Sequence, residues 1–434
     1  MLDLKRIRED PDAVRARLAV RGSAQYDAVL DELLALDEQR RLAIAEVDAM
    51  RARRNEVSPQ VGKLKQAGQE DAARPLILEM RELGERMTTS EARRAELEEA
   101  VRDALLNLPN LPEDAVPAGG PEHNVVVRTH GEARRTDFAL QPHWEIAERL
   151  GLLDLPRGAK VAGSGFPVYV GWGARLERAL INFMVDLHAR EHGYTELSPP
   201  FVINEAAALG TGHLPKYHED MYFVSEDRLY LVPTAEVPVT NLYADELLAA
   251  SDLPRRFVAY TPCFRREAGS HGKDTRGLLR LHQFDKVELM RFERPEHSRA
   301  ALEQLTAHAE SVLQRLGLHY RVLLLAGGDL GFANAQTYDL EVWAPGVERW
   351  LEVSSCSLYN DFQARRANVR FRPEPHARPE FVHTLNGSGL GVARTLAAVI
   401  ETGQQADGSV IVPEELRSYV GTDRIGAQPG DAAT

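Results

Sequence analysis

The chain has 434 residues, 44% of them apolar and 27% charged, a net charge of −13 and two cysteines, Cys263 and Cys356. This length suits two domains. The acidic balance excludes binding nucleic acid over the whole surface but not through a local basic patch, and two cysteines exclude a disulfide framework or a cysteine-rich zinc site and suit a reducing compartment. The charged start MLDLKRIREDPDAV is no secretory signal, and no run of roughly 18 apolar residues could span a membrane, so a cytoplasmic protein is expected.

From Tyr26 to Leu108 the sequence is rich in Ala, Leu, Glu and Arg. Leu33, Leu36, Ala43, Val47, Met50, Val57, Val61 and Leu64 follow one another at mostly helical spacing, as do Leu76, Met80, Leu83, Met87, Leu97, Val101, Leu105 and Leu108. Such narrow stripes predict two long helices. QAGQED (Gln66 to Asp71) supplies the glycine for a reversal between them, and Pro59 predicts a kink or break in the first. The expected element is an antiparallel two-helix coiled-coil arm, each helix about 50 Å long. Its plain reading is a dimerisation coiled coil. Arg40, Arg41, Arg51, Arg53, Arg54, Lys63 and Lys65 on the first helix offer a second one, a basic rib that meets phosphates.

NLPNLPEDAVPAGGPEHN (Asn107 to Asn124) reads as a Pro/Gly linker. The expected division is a helical arm over 1–108, a linker over 109–124, a second domain over 125–420 and a disordered tail over 421–434. In the second domain helices are predicted over 175–192, 235–250, 295–316 and 392–402. Strands are predicted over 194–197, 229–232, 256–266, 278–290, 320–325, 335–342, 349–357 and 381–386. Half-buried strands with helices between some of them predict an α+β fold, an antiparallel sheet with helices packed on it. No GxGxxG or P-loop motif follows a strand.

Four stretches are polar in a way that suggests chemistry. In TPCFRREAGSHGKDTRGLLRLHQFDKVE (Thr261 to Glu288), a period of two puts Arg265 with Glu267 on one face, and Arg280, Phe284 and Glu288 on one face of the returning strand. A nucleotide needs cations for phosphate, a ring for the base and an acceptor for an amine; a salt-bridged sheet edge would have the same look. In ERWLEVSSCS, Glu352 with Ser354 and Ser355 could hold Mg²⁺ or simply face solvent. TLNGSGLGVARTLAAVIE reads as a glycine-rich turn entering a helix with Arg394 in its first turn. That is either an anion site or a buried helix with a snorkelling arginine. Thr234 and Glu236, in VPTAEVPVTNLYADE, read best as a plain N-cap and first-turn acid.

In their order and detail these segments resemble the bacterial-type seryl-tRNA synthetases, class II aminoacyl-tRNA synthetases. SPPFVI (Ser198 to Ile203) resembles motif 1, with its dimer-interface proline. The FRxEAGS segment resembles motif 2, and NGSGLGVARTLAAVIE resembles motif 3. TAEV and EVSSCS resemble the family's serine and nucleotide segments. The resemblance covers essentially the whole chain, arm included, and implies a class II catalytic domain behind the arm. It implies ATP on Arg265, Arg266, Glu267, Arg280, Phe284, Glu352, Val353, Ser354, Ser355 and Arg394. Within that set Arg265 meets the α-phosphate, Glu267 the adenine amine, Phe284 the base, and Arg280 and Arg394 the outer phosphates. Glu352 and Ser355 would hold Mg²⁺, and no zinc is expected. Thr234, Ala235, Glu236, Arg265, Glu288, Asn386 and Ser388 would surround L-serine. The loop Ala268 to Gly277 would close over the adenylate. A homodimer acting on tRNA(Ser) is implied, and charging of tRNA(Sec) stays open. A carrier-protein-loading relative would lack the arm, and a non-catalytic paralogue should have lost Arg265, Glu267 or Arg394, all of which are present.

Overall fold

A computed structural model describes residues 1–268 and 276–426. The chain forms two compact units. One comprises Leu2–Leu18 and Ser23–Pro109, the other Met1, Ala19–Gly22 and the chain from Asn110 on.

The first unit is built on α1 (Leu4–Glu9), α2 (Pro11–Ala19), α3 (Gln25–Gln66) and α4 (Glu70–Leu106). With 42 and 37 residues, α3 and α4 run about 60 and 55 Å. They reverse at Gly68, whose φ of +69° favours a residue without a β-carbon, and the Gln69 N–H caps the Leu64 carbonyl at 2.9 Å. The buried stripe is Leu30, Leu33, Ala43, Val47, Met50 and Val57 against Ala73, Leu83, Met87, Leu97, Val101 and Leu105. The expected break at Pro59 is absent, since α3 is assigned as one helix through it. Pro59 is exposed and removes a single hydrogen bond, to Asn55, while Val57 beside it stays buried.

The basic rib is partly spoken for. Asp37 is buried at 1% exposure and receives Arg8 at 3.2 Å, Arg40 at 2.7 Å and Arg41 at 3.2 Å. Arg51 pairs with Glu91 at 3.0 Å, and Arg53 pairs with Glu79 at 2.6 Å. Arg54, Lys63 and Lys65 are exposed.

The second unit is organised by eight strands: β1 (Val125–His130), β2 (Thr195–Leu197), β3 (Arg255–Phe264), β4 (Gln283–Glu293), β5 (Tyr320–Leu324), β6 (Gln336–Ala344), β7 (Arg349–Asn360) and β8 (His383–Gly391). Their order in the sheet is β1-β5-β6-β7-β8-β4-β3-β2. Every pair is antiparallel except β2 with β3. The apolar sides of α5 (Trp172–Arg190), α6 (Ser298–Arg315) and α7 (Val392–Gly403) pack with the strands into the main core, around Leu180, Met184, Leu305, Val312, Leu396 and Val399.

Four expectations are corrected. The segment read as a glycine-rich turn before α7 is strand to its last residue. Its glycines answer to packing: a β-carbon on Gly387 would sit 2.4 Å from Leu305 Cδ2, and one on Gly389 would sit 3.0 Å from His188 Nε2. The helix expected over 235–250 is only Glu236–Asn241, because Leu247–Ala249 pairs in parallel with Arg370–Arg372. The stretch read as a linker is held in place. Asn110 is buried and its Nδ2 donates to the Ala333 and Tyr359 carbonyls at 2.9 and 2.8 Å, while Val116 packs with Leu323, Leu325 and Leu330. In the tail expected from Gly421, Arg424–Ile425 pairs with Val410–Ile411, and Ile425 is buried; residues 427–434 lie outside the described residues.

Candidate active site

The two strands of the hairpin are β3 and β4, in a register that sets Ala259 opposite Glu288 and Cys263 opposite Phe284. Regular strand stops at Phe264, short of Arg265 and Glu267. Leu278, Leu279 and Leu281 are all buried, so the return begins as a packed turn rather than an alternating strand. On the side of β8 away from Leu305 and His188, Asn386 and Ser388 help line a cavity of about 410 Å³. Thr234, Glu236, Arg265, Glu267, Arg280, Phe284, Glu288, Glu352, Val353, Ser355 and Arg394 complete it together with His213, Lys286, Asn334, Ser357 and Tyr359.

One end is a buried acidic network. Asn386 Nδ2 donates to Glu236 Oε2 at 2.9 Å and to Glu288 Oε1 at 3.0 Å. Tyr359 donates its hydroxyl to Asn386 Oδ1 at 2.7 Å, which fixes the amide with its nitrogen toward the acids. Thr234 Oγ1 donates to Glu288 Oε2 at 3.0 Å, and Lys286 is ion-paired to the same oxygen. Burial, and then the nearby Glu288, raises the Glu236 carboxyl to about 7. Burial, then Arg265 and Lys286, lowers His213 to about 3, so its ring is neutral. When both carboxylates are ionised, neutral donors and one lysine leave one negative charge at this end without a cation.

The other end is rich in arginine. The Arg265 guanidinium lies over the Phe284 ring, 5.1 Å from its centroid, and its Nε donates to the Pro233 carbonyl at 3.4 Å. Arg280 Nη1 donates to Glu267 Oε2 at 2.5 Å; Glu267 has a left-handed backbone, φ +51°, which aims its side chain inward against the local preference. Arg394, at the start of α7, donates to the Leu279 and Glu352 carbonyls at 3.0 and 2.8 Å. Beside it Ser355 Oγ donates to Glu352 Oε1 at 3.2 Å. Asp339, which faces Ser355 across the β6–β7 ladder, has a buried Oδ1 with no hydrogen-bond partner, and burial followed by Glu352 pushes its carboxyl well above its usual range. This corner has acidity that a cation would relieve. Among the described residues no group of three or more His, Cys, Asp or Glu side chains could hold a metal by itself.

Residues 1–112 match the seryl-tRNA synthetase N-terminal domain, and residues 222–403 match the class II tRNA synthetase core domain (G, H, P, S and T). The chain is 54% identical to the serine–tRNA ligase of Gemmatimonas aurantiaca, over 97% of this chain and 99% of that one. It is 54% identical to the serine–tRNA ligase of Geobacillus kaustophilus over the same shares. The chain belongs to the seryl-tRNA synthetases. Its fold agrees: the seryl-tRNA synthetase from Pyrococcus horikoshii, solved complexed with ATP, superposes with a TM-score of 0.93 at 36% identity, over 98% of this chain and 100% of that one. The synthetase is thus a serine–tRNA ligase with a class II core, and the α+β fold with a two-helix arm expected from the sequence is borne out.

Three residues expected at the synthetase's site do not line its cavity. Ala235 is buried in a satellite core with Leu248 and Phe257, and Ser354 Oγ donates to the Ser388 carbonyl at 2.7 Å. Arg266 lies over Tyr222 at 5.9 Å. Loop residues 269–275, expected to close over the adenylate, lie outside the described residues. Lys286 was missed although the signal was present, since it sits between Phe284 and Glu288 at the same period of two. His213, Asn334, Ser357 and Tyr359 had no local signal; the topology gathers them from separate segments.

Proposed function

We propose that the acidic end of the cavity holds L-serine and the arginine-rich end holds ATP, so that seryl-adenylate forms between them. The observation that carries this reading is the sharing of Asn386 Nδ2 between two buried carboxylates, in the same cavity as Arg265, Phe284 and Arg394. Glu236 and Glu288 accept the ammonium, while Asn386, Ser388 and Thr234 meet the hydroxyl and backbone of serine. Phe284 stacks on adenine and Glu267 accepts its amine. Arg265 holds the α-phosphate, and Arg280 and Arg394 exchange their present partners for the outer phosphates. Mg²⁺ arriving with ATP fits Glu352 and Ser355, which supply one carboxylate and one hydroxyl and leave phosphate oxygens to complete the shell. When bound it would neutralise phosphate charge.

The serine carboxylate attacks the α-phosphorus in line, and pyrophosphate leaves. The terminal ribose 3′-hydroxyl of tRNA(Ser) then attacks the seryl carbonyl, and AMP leaves. No enzyme nucleophile is needed: Arg265 stabilises charge that grows on the α-phosphate, and the buried network fixes the direction of approach. The arm grips tRNA, and the chain works as a cytoplasmic homodimer. In support, Phe201 and Val202 of the SPPFVI segment are exposed at 43% and 42%, and among the described residues no helix is long and apolar enough to cross a membrane.

Serine-dependent ATP–pyrophosphate exchange tests the site. Arg265→Ala should lower it on the order of 10²-fold or more, and Arg265→Lys should not restore it, because a point charge lacks the planar fork. Near-normal exchange by folded Arg265→Ala would refute the assignment.

A further inference from the structure

We infer that Gln363, which does not touch the cavity, is a positioning residue that holds the Glu236 carboxylate toward serine. The inference rests on the serine-pocket reading above. Gln363 is fully buried, in the first turn of the short helix Phe362–Ala367. Its Nε2 donates to Glu236 Oε1 at 2.6 Å and to the Thr211 carbonyl at 3.2 Å, and its Oε1 accepts from Thr384 Oγ1 at 2.7 Å. The Thr211 carbonyl can only accept, as can the ionised Glu236 carboxylate, so the amide has one orientation. Thr384 lies on β8, two residues before Asn386, which holds the other Glu236 oxygen at 2.9 Å. Each carboxylate oxygen therefore has its own donor, from two elements tied together by one hydroxyl, and the group cannot rotate away from the cavity.

The chemistry of residue 363 is constrained. An apolar side chain would leave a buried carboxylate oxygen without a partner, which favours the protonated acid. A cation would neutralise Glu236 and compete with the substrate ammonium. A neutral double donor does neither. The other charged or titratable groups facing Glu236 are Glu288 and Lys286 on β4 and Tyr359 on β7, with neutral His213 in the same cavity. Glu288 opposes ionisation and Lys286 favours it. Gln363 works in the same direction as Lys286.

The test is the serine KM in ATP–pyrophosphate exchange from pH 6 to 9, with ATP KM and melting temperature measured alongside. Gln363→Met should raise serine KM at pH 7 on the order of tenfold and move the midpoint of its pH dependence up by about one unit, with ATP KM within about twofold. Thr384→Val, which frees the far side of the amide, should shift the midpoint in the same direction by less. An unchanged midpoint in folded Gln363→Met, or serine and ATP KM rising together, overturns the inference. If Gln363→Met does not fold, an unchanged midpoint in Thr384→Val overturns it. Glu236→Gln separates the two levels. If serine KM is indifferent to it, the pocket reading itself fails. If serine KM rises and loses its pH dependence while Gln363→Met changes nothing, the pocket stands and only the role of Gln363 fails.

Discussion

On the proposed reading of the pocket, Glu236 is the residue at which binding and stability pull in opposite directions. Its carboxyl, raised to about 7 by burial and Glu288, holds a proton more tightly in the folded protein than in the unfolded chain. Its contribution to stability therefore falls as pH rises from the usual carboxylate range to about 7, and stays low above that. Serine bound as proposed would reverse the balance, because its ammonium would favour the ionised acid. With a midpoint near 7, the ionised fraction rises about tenfold between pH 6 and pH 8, so serine KM should fall by about the same factor. The rise in melting temperature on adding serine should also be larger at pH 8. Equal KM values at the two pH values would show that Glu236 does not meet the ammonium. In the sequence this residue looked like an ordinary first-turn acid. Its partners Gln363, Asn386 and Glu288 lie 127, 150 and 52 positions away, and no local pattern reports such contacts. Phe284 and Glu288 were legible because they alternate on one strand, and Arg280 because it sits in the packed turn just before that strand.

Among the elements, the arm was the most legible and β8 the least. An apolar stripe needs no tertiary information to show itself, whereas NGSGLG has the composition of a turn and becomes strand by pairing between β4 and β7, with helices packed on its back. Four of the seven cations of the expected basic rib prove to be engaged: Arg40 and Arg41 serve Asp37, and Arg51 and Arg53 serve Glu91 and Glu79. The proposed tRNA contacts therefore fall to exposed Arg54, Lys63 and Lys65 toward the α3–α4 reversal. Replacing these three with Glu should leave serine-dependent exchange within about twofold and cut tRNA charging at limiting tRNA on the order of tenfold or more, with a salt dependence of tRNA binding shallower by about two to three counterions. Charging at the normal rate would return these cations to the status of a solvated face.

For the whole molecule, the length of 434 residues suited two units but did not say where the boundary residues would go. Asn110 and Val116 are absorbed into the second unit through long-range partners that a Pro/Gly-rich stretch does not announce. Dimerisation is testable at Phe201, exposed after the paired prolines Pro199 and Pro200. A buried charge at an apolar interface is costly, so Phe201→Asp should weaken self-association on the order of a hundredfold or more. Sedimentation at micromolar concentration would read this as a shift from twice the chain mass to the chain mass. A wild-type chain that sediments as a monomer refutes the dimer.

The glycines of β8 have a consequence for how substrate choice could ever change. Asn386 and Ser388 alternate with Gly387 and Gly389, whose bare backs touch Leu305 and His188. The cavity and the helices behind it are thus separated by one thickness of backbone. A wall so thin is hard to retune from the rear, since a β-carbon at Gly387 or Gly389 meets Leu305 or His188 at once, and either those side chains or the strand must shift. On the proposed reading, the direct way to enlarge the pocket for another amino acid is from the front, through the side chains of Thr234, Asn386 and Ser388, which line the cavity.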